Sequence, residues 1–116
     1  MQSAVSAPTA TPSLQNETEQ EHGSLFNVVL LDDDEHTYDY VIEMLQKLFF
    51  VPLEVAFQHA VEVDTTGRTV VITCERPQAD FARDQIHGYG ADPRMPKSKG
   101  SMSAVVVPAS GKQSAF

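Results

Sequence analysis

Hydrophobic and polar positions along the chain divide it into short continuous apolar runs and longer stretches with helically spaced apolar residues. Two runs, Phe26–Leu31 (FNVVLL) and Arg68–Cys74 (RTVVITC), are rich in β-branched residues and predict strands. The first is almost entirely apolar, which indicates a strand covered on at least one face. A third run, Met102–Val107, predicts the last strand.

Three stretches between these runs predict helices. The first covers about Tyr38–Leu48, with His36 or Thr37 at the position of the N-cap. The second begins at Pro52 and the third at Pro77, because proline suits the first turn of a helix. A Gly-Tyr-Gly segment ends the third. The predicted apolar faces are Tyr40, Val41, Met44, Leu45 and Leu48; then Leu53, Ala56, Phe57, Ala60 and Val61; then Ala79, Ala82, Ile86 and Tyr89.

The resulting order, β-α-α-β-α-β, predicts an α+β fold. We expect a two-layer sandwich in which a three-stranded antiparallel sheet carries three helices on one face. Residues 25–109 form the predicted domain. Residues 1–24 are small, polar and proline-containing, and are predicted to be a disordered tail. Residues 110–116 are predicted to be a loose C-terminal tail. We find neither a signal-peptide pattern nor an apolar run of membrane-spanning length.

Charge is unevenly distributed along the chain, whose formal net charge is -8. Residues 17–64 carry twelve acidic side chains and one basic one, whereas residues 65–116 carry four acidic and seven basic ones. An acidic region disfavours nucleic acids and anionic membranes and favours cationic partners. The single cysteine, Cys74, excludes an internal disulfide and fits a reducing cytosol. We therefore expect the protein to be cytoplasmic. We also expect it to be a monomer.

Four consecutive acids, Asp32–Glu35, follow the first predicted strand. Like charges placed together repel one another, so a visiting cation would explain the run. A solvated turn whose acids complement the dipole of the next helix is the simpler alternative. A Ca²⁺ or Mg²⁺ site is disfavoured because the spacing is not that of an EF-hand loop and no glycine makes the turn. No metal or cofactor is expected.

Enzymatic and nucleic-acid-binding functions have weak support. The sequence has no serine on a nucleophile elbow and no glycine-rich phosphate loop, and its cysteine lies within a predicted strand. The loop 91–101 contains three basic residues among prolines, which are too few for nucleic-acid binding beside a net charge of -8. This loop is expected to contact a protein or the acids of the chain itself.

Three motifs carry a family resemblance. VVLLDDD at residues 28–34, YVIEMLQKLF at 40–49 and AVEVDTTGR at 60–68 resemble the ClpS adaptor family, and the likeness extends over about residues 26–107. The resemblance implies an adaptor and not an enzyme. Such an adaptor binds the bulky hydrophobic N-terminal residue of a protein marked for degradation, and docks on the N-terminal domain of the AAA+ unfoldase of the Clp protease.

The resemblance also implies a site with two parts. A peptide α-ammonium would lie at Asp32, Asp33, Asp34 and Asp64. Two of these depart from the family, which has Asn in place of Asp32 and His in place of Asp64, so the site is more negative and at least one carboxylate pKa should be raised. The apolar pocket would be lined by Leu30, His36, Tyr38, Val41, Ala60, Val63 and Met102, with Tyr38 and Ala60 in place of two family methionines.

Docking on the unfoldase is less well supported by the residues. The family's Glu and Lys fall on Pro77 and Ala82, and the neighbouring Glu75 and Arg83 are the candidates for their roles. An alternative function keeps the fold without the cargo. The domain would then be a regulatory or interaction module that docks through its helices, as does the similar C-terminal domain of the ribosomal stalk protein.

Overall fold

The computed structural model describes residues 24–109, and the order of elements there confirms the predicted fold. The predicted tails, apart from Ser24, lie outside the described residues. The elements are β1 Phe26–Leu31, α1 Tyr38–Phe49, α2 Leu53–Thr66, β2 Arg68–Cys74, α3 Arg76–His87 and β3 Ala104–Pro108. The predicted limits of β1 and β2 are confirmed to the residue. β3 begins two residues later than predicted, and Met102 is buried just before it.

β1 is the central strand of an antiparallel sheet with the order β2-β1-β3. Val28 pairs with Ile72 on one side and with Val106 on the other. Beyond the last residue of β1, the Asp32 N–H donates to the carbonyl of Gly67 at 3.0 Å. The acidic run therefore leaves the middle of the sheet beside the turn that joins α2 to β2.

The three helices pack on one face of the sheet around a single core. The buried residues of this cluster are Val28, Leu30, Tyr40, Val41, Met44, Leu45, Ala56, Ala60, Ala79, Ala82, Ile86, Met102 and Ala104. Small side chains, such as Ala56 and Ala60, let α2 approach its neighbours closely. Because α2 turns these residues and Val63 inward, Leu53 and Phe57 are exposed, and the predicted apolar face of the second helix is wrong at those two positions.

The helix ends agree with local sequence signals, with one exception. Thr37 is the N-cap of α1 and its side chain accepts from the Tyr40 N–H, while Pro52 is the N-cap of α2. The C-cap of α2 is Gly67, whose φ of 92° suits glycine. The C-cap of α1 is Phe50, which has a φ of 59° and a side chain that is largely exposed. A left-handed phenylalanine is unusual and strained.

Candidate functional site

A small cavity of about 40 Å³ opens where β1 ends, between α1, α2 and the segment before β3. It gathers most of the residues that the family resemblance had assigned to the site. Its lining consists of Asp32, Asp33, His36, Thr37, Tyr38, Val41, Ala60, Val63, Asp64 and Met102. Residues far apart in the chain thus meet at one place, with Thr37 as an unpredicted member.

Two predicted site residues do not line this cavity. Leu30 is fully buried in the core, because β1 directs it inward between its neighbours in β2 and β3. Asp34 projects into solvent, and its Oδ2 lies 3.6 Å from Nζ of Lys97. The assignments of Leu30 to the pocket wall and Asp34 to the ammonium site are therefore not supported by this geometry.

The inner wall of the cavity is part of the hydrophobic core. Val41 from α1, Ala60 and Val63 from α2, and Met102 from the segment before β3 are each buried. Side chains packed in a core resist displacement, because a change of one methylene group already alters the stability of the fold. This apolar wall is consequently the rigid side of the cavity.

Asp33 at the rim is bonded to groups of the protein itself. Its Oδ1 accepts from the Glu35 N–H at 2.9 Å and from Nδ1 of His36 at 2.8 Å. The Nε2 atom of His36 lies 2.7 Å from the carbonyl oxygen of Gly100, and the ring is almost completely buried. The Nε2 atom also lies 3.2 Å from the hydroxyl oxygen of Ser98, which can donate to it. Asp33 is thus held by an internal partner.

Asp32 is the acid at the rim of the cavity whose carboxyl pKa is raised. Partial burial raises the pKa of its carboxyl group, and the charges of Asp64, Asp33 and Asp34 raise it further. The hydrogen bond from the Asp33 backbone only partly opposes this rise. The expected rise in a carboxylate pKa is confirmed in direction, and burial is its largest single cause. A cation at this rim would relieve both the repulsion and the incomplete solvation.

Tyr38 bridges the two helices at the outer side of the cavity. Its hydroxyl donates to Oδ2 of Asp64 at 2.9 Å, and this bond raises the pKa of the phenol. Its ring meets that of Phe57 edge to face, with centroids 6.1 Å apart. Asp64, one of the predicted ammonium-site acids, is therefore already bonded to a group of the protein.

A buried carboxylate supports the start of α1. Asp92 is 1% exposed, and its Oδ2 accepts from the N–H of Thr37 at 2.7 Å and from the Thr37 hydroxyl at 2.9 Å. Burial alone would raise the pKa of Asp92, but the hydrogen bonds from Thr37 and Arg94 outweigh it and lower the pKa. Asp92 does not line the cavity, but it positions Thr37, which does.

Sequence reasoning missed Asp92. The available local signal was an Asp two residues before Arg94, where Oδ1 accepts the Arg94 N–H at 3.0 Å in an Asx turn. The basic residues of this loop contact acids of the chain itself, which is one of the two contacts predicted for the loop. Arg94 also bonds to Glu43 of α1, and Lys97 approaches Asp34. The basic loop thereby holds the segment before β3 against α1.

The two candidate docking residues lie on α3 and do not line the cavity. Glu75 is the N-cap residue of α3 and makes no side-chain capping bond. Arg83 lies 3.5 Å from Asp80 and 3.2 Å from Asp84, so its guanidinium group is paired within its own helix.

Two other kinds of site are not found within residues 24–109. No three His, Cys, Asp or Glu side chains there form a potential metal site. None of the helices there has the length and apolar character that a membrane span requires.

Comparison with protein families gives one match over most of the chain. The family described as ATP-dependent Clp protease adaptor protein ClpS matches residues 21–96. The chain belongs to the ClpS family. This match covers the acidic run, both helices of the cavity and α3, and it ends before Met102 and β3. ClpS proteins are described as adaptors of the Clp protease, which places the chain in a family of adaptor proteins.

Curated ClpS relatives match the chain over part of their length. The ATP-dependent Clp protease adapter protein ClpS of Alkalilimnicola ehrlichii is 34% identical over 65 residues, which are 56% of this chain and 61% of the relative. That of Nautilia profundicola is 38% identical over 64 residues, which are 55% of this chain and 65% of the relative. The chain thus spans less than two thirds of the length of either relative.

A solved ClpS structure has the same fold. It is Agrobacterium tumefaciens ClpS2 bound to L-phenylalaninamide, with a TM-score of 0.63 and 21% sequence identity. The similarity covers 73% of this chain and 96% of the other. It confirms the three-stranded antiparallel sheet with three helices as a ClpS fold.

Proposed function

We propose that the domain binds the free amino terminus of a substrate protein at the cavity and delivers that protein to a Clp unfoldase. The observation that supports this most directly is the joining of a negative rim to an apolar wall. Asp32 and Asp64 lie on the same cavity as Val41, Val63 and Met102. An N-terminal hydrophobic residue has the complementary form, an ammonium group beside an apolar side chain.

The energies of the two contacts are comparable. A hydrogen bond between an ammonium and a carboxylate contributes about 1.5–3 kcal/mol. Burial of a Leu or Phe side chain contributes about 1.5–3 kcal/mol more. Asp33 acts chiefly through its field, because its Oδ1 already accepts two hydrogen bonds, from Glu35 and His36. In the proposal, Asp32 and Asp64 therefore make the direct contacts with the ammonium.

Delivery to an unfoldase rests on family membership. Both curated relatives are Clp protease adapters, and the related A. tumefaciens ClpS2 binds L-phenylalaninamide, which carries a free amino group and a phenyl ring. Glu75 and Arg83 on α3 remain the candidates for contact with the N-terminal domain of the unfoldase. Substrates would be proteins with a hydrophobic N-terminal residue.

The test is the affinity of short peptides that begin with Phe, Leu, Tyr or Trp, each compared with its N-acetylated form. Free peptides should bind, and acetylated ones should not. Asp64→Asn should weaken binding about tenfold, because a charged acceptor is replaced by a neutral one. Glu54→Gln, the same loss of charge on the exposed part of the same helix, should have little effect. Equal binding of free and acetylated peptides would refute recognition of the amino group.

A second function is favoured by the small size of the cavity. At about 40 Å³ it is far smaller than the cavity of about 150 Å³ that admits benzene in an engineered protein. A ClpS-like module that only docks on an unfoldase would need no larger pocket. Binding to a purified Clp unfoldase N-terminal domain, together with failure to bind any of the peptides, would favour this second function.

A further inference from the structure

Tyr38 lines the cavity and also faces solvent. It is the first residue of α1 and is 38% exposed, so that one side of its ring faces water while the residue also lines the cavity. Two contacts with α2 hold it there, the hydrogen bond to Asp64 and the edge-to-face contact with Phe57. The ring thus connects α1 with α2 at the outer side of the cavity.

The remaining parts of the lining are less free to move. Val41, Ala60, Val63 and Met102 belong to the core, and His36 is bonded through both of its ring nitrogens. Thr37 is bonded to the buried Asp92. Tyr38 is held by one surface hydrogen bond and one ring contact, which are lost at little expense because water can solvate the phenol. Space for a large side chain is therefore gained most readily by moving Tyr38.

The hydroxyl of Tyr38 and a peptide ammonium can compete for the same carboxylate. The hydroxyl donates to Oδ2 of Asp64, one of the two carboxylates to which the proposed function assigns the ammonium. Both donors bond to an ionised carboxylate, but the ammonium also carries a positive charge and adds a Coulombic attraction that the neutral hydroxyl lacks. An ammonium can therefore take over this carboxylate, whereas an acetylated amino terminus, which carries no charge, competes poorly.

We propose that Tyr38 is the specificity-determining gate of the site: the substrate's α-ammonium displaces the Tyr38 hydroxyl from Asp64, and the released ring moves aside to admit a bulky first side chain. This inference rests on the proposed function and goes beyond it. It makes recognition of the amino group a condition for admission of the side chain. It also lowers the affinity, because the closed arrangement must be left before a bulky residue can bind.

The decisive variant is Tyr38→Phe, which keeps the ring and removes the hydroxyl. The probe is a peptide that begins with Phe, and its dissociation constant is measured by fluorescence anisotropy. We expect Tyr38→Phe to bind this peptide about threefold to tenfold more tightly, since a competing hydrogen bond has been removed. Tyr89→Phe, which removes a phenolic hydroxyl outside the cavity, is the matched control and should bind as the wild type does.

Dependence on Asp64 separates a gate from a general change in structure. In an Asp64→Ala background, Tyr38→Phe should no longer alter the affinity, because the two changes remove the same hydrogen bond. Unchanged or weaker binding by Tyr38→Phe in the otherwise native protein would overturn the gate. If free peptides were still preferred to acetylated ones, the proposed function would survive that result. Absence of peptide binding by the wild type and both tyrosine variants would overturn the function and the gate together.

Discussion

Asp32 shows how one residue can act against the fold and yet favour a ligand. The residue is exposed, but partial loss of solvent around its carboxylate, followed by the charges of its acidic neighbours, raises the pKa of that group. A carboxyl group whose pKa is higher in the folded protein favours folding most at low pH. That contribution is lost as the pH rises through the folded-state pKa. At neutral pH, ionised Asp32 therefore destabilises the empty site.

Asp32→Asn should raise the stability of the empty protein near pH 7. The variant removes a poorly solvated, mutually repelling charge, and the gain should be less than about 1 kcal/mol because water screens the rim. The free energy of unfolding, measured with urea at about pH 7 and about pH 4, checks this. The difference from the wild type should shrink at the lower pH, where Asp32 is increasingly protonated. A variant that is less stable at pH 7 would contradict the expectation.

At the scale of the elements, the end of α1 carries backbone strain that packing does not require. Phe50 is the C-cap in the left-handed region, with a φ of 59°, and its side chain is 85% exposed. The sequence FFVP predicts the end of a helix there, but glycine or asparagine is the usual residue at such a position. The α2 helix ends with Gly67 in a similar backbone conformation.

Phe50→Gly should stabilise the protein by about 0.5–1 kcal/mol. Relief of the left-handed strain outweighs the greater backbone entropy of glycine in the unfolded chain, and almost no packing is lost. Gly67→Ala is the matched reverse change. No atom lies within 4 Å of an added Cβ at Gly67, so its effect would come from the backbone alone. It should destabilise by about 1 kcal/mol. Thermal unfolding of both variants checks the pair, and a stabilising Gly67→Ala would contradict the argument.

For the molecule as a whole, a buried carboxylate joins the loop before β3 to the start of α1. Asp92 accepts hydrogen bonds from Thr37 and Arg94, and Arg94 reaches Glu43. Because these bonds lower the pKa of Asp92, its ionised form stabilises the fold above the unfolded-state pKa. This stabilisation is lost as the pH falls through the folded-state pKa, the opposite sign to that of Asp32.

Asp92→Asn should destabilise the protein by about 1–3 kcal/mol near pH 7, because a charged, fully buried acceptor is replaced by a neutral one. The difference in unfolding free energy between the variant and the wild type should become smaller at low pH, because Asp92 of the wild type becomes protonated there. Urea unfolding across this pH range provides the measurement. Asp84→Asn, at an exposed position on α3, is the control and should change stability by less than about 0.5 kcal/mol. Equal stability of Asp92→Asn and the wild type at pH 7 would remove Asp92 as an anchor of the loop.

Much of the fold could be predicted because its signals are local. The runs FNVVLL and RTVVITC determine β1 and β2, and Thr37 determines where α1 begins. Side chains three or four positions apart share a helix face, and residues two apart share a strand face, whatever the rest of the chain does. The family motifs at residues 28–34, 40–49 and 60–68 likewise contain six residues of the cavity lining: Asp32, Asp33, Val41, Ala60, Val63 and Asp64.

What the tertiary structure alone decided depends on contacts between distant residues. Leu53 and Phe57 have the spacing of a buried face, yet packing rotates α2 so that its alanines lie inward. The bond from Tyr38 to Asp64 spans 26 residues, and that from Thr37 to Asp92 spans 55. Sequence spacing does not specify the rotation of a helix or the separation of two loops. The acidic run was therefore evident from the sequence, whereas the bond from Tyr38 to Asp64 beside it is a consequence of how α1 and α2 pack.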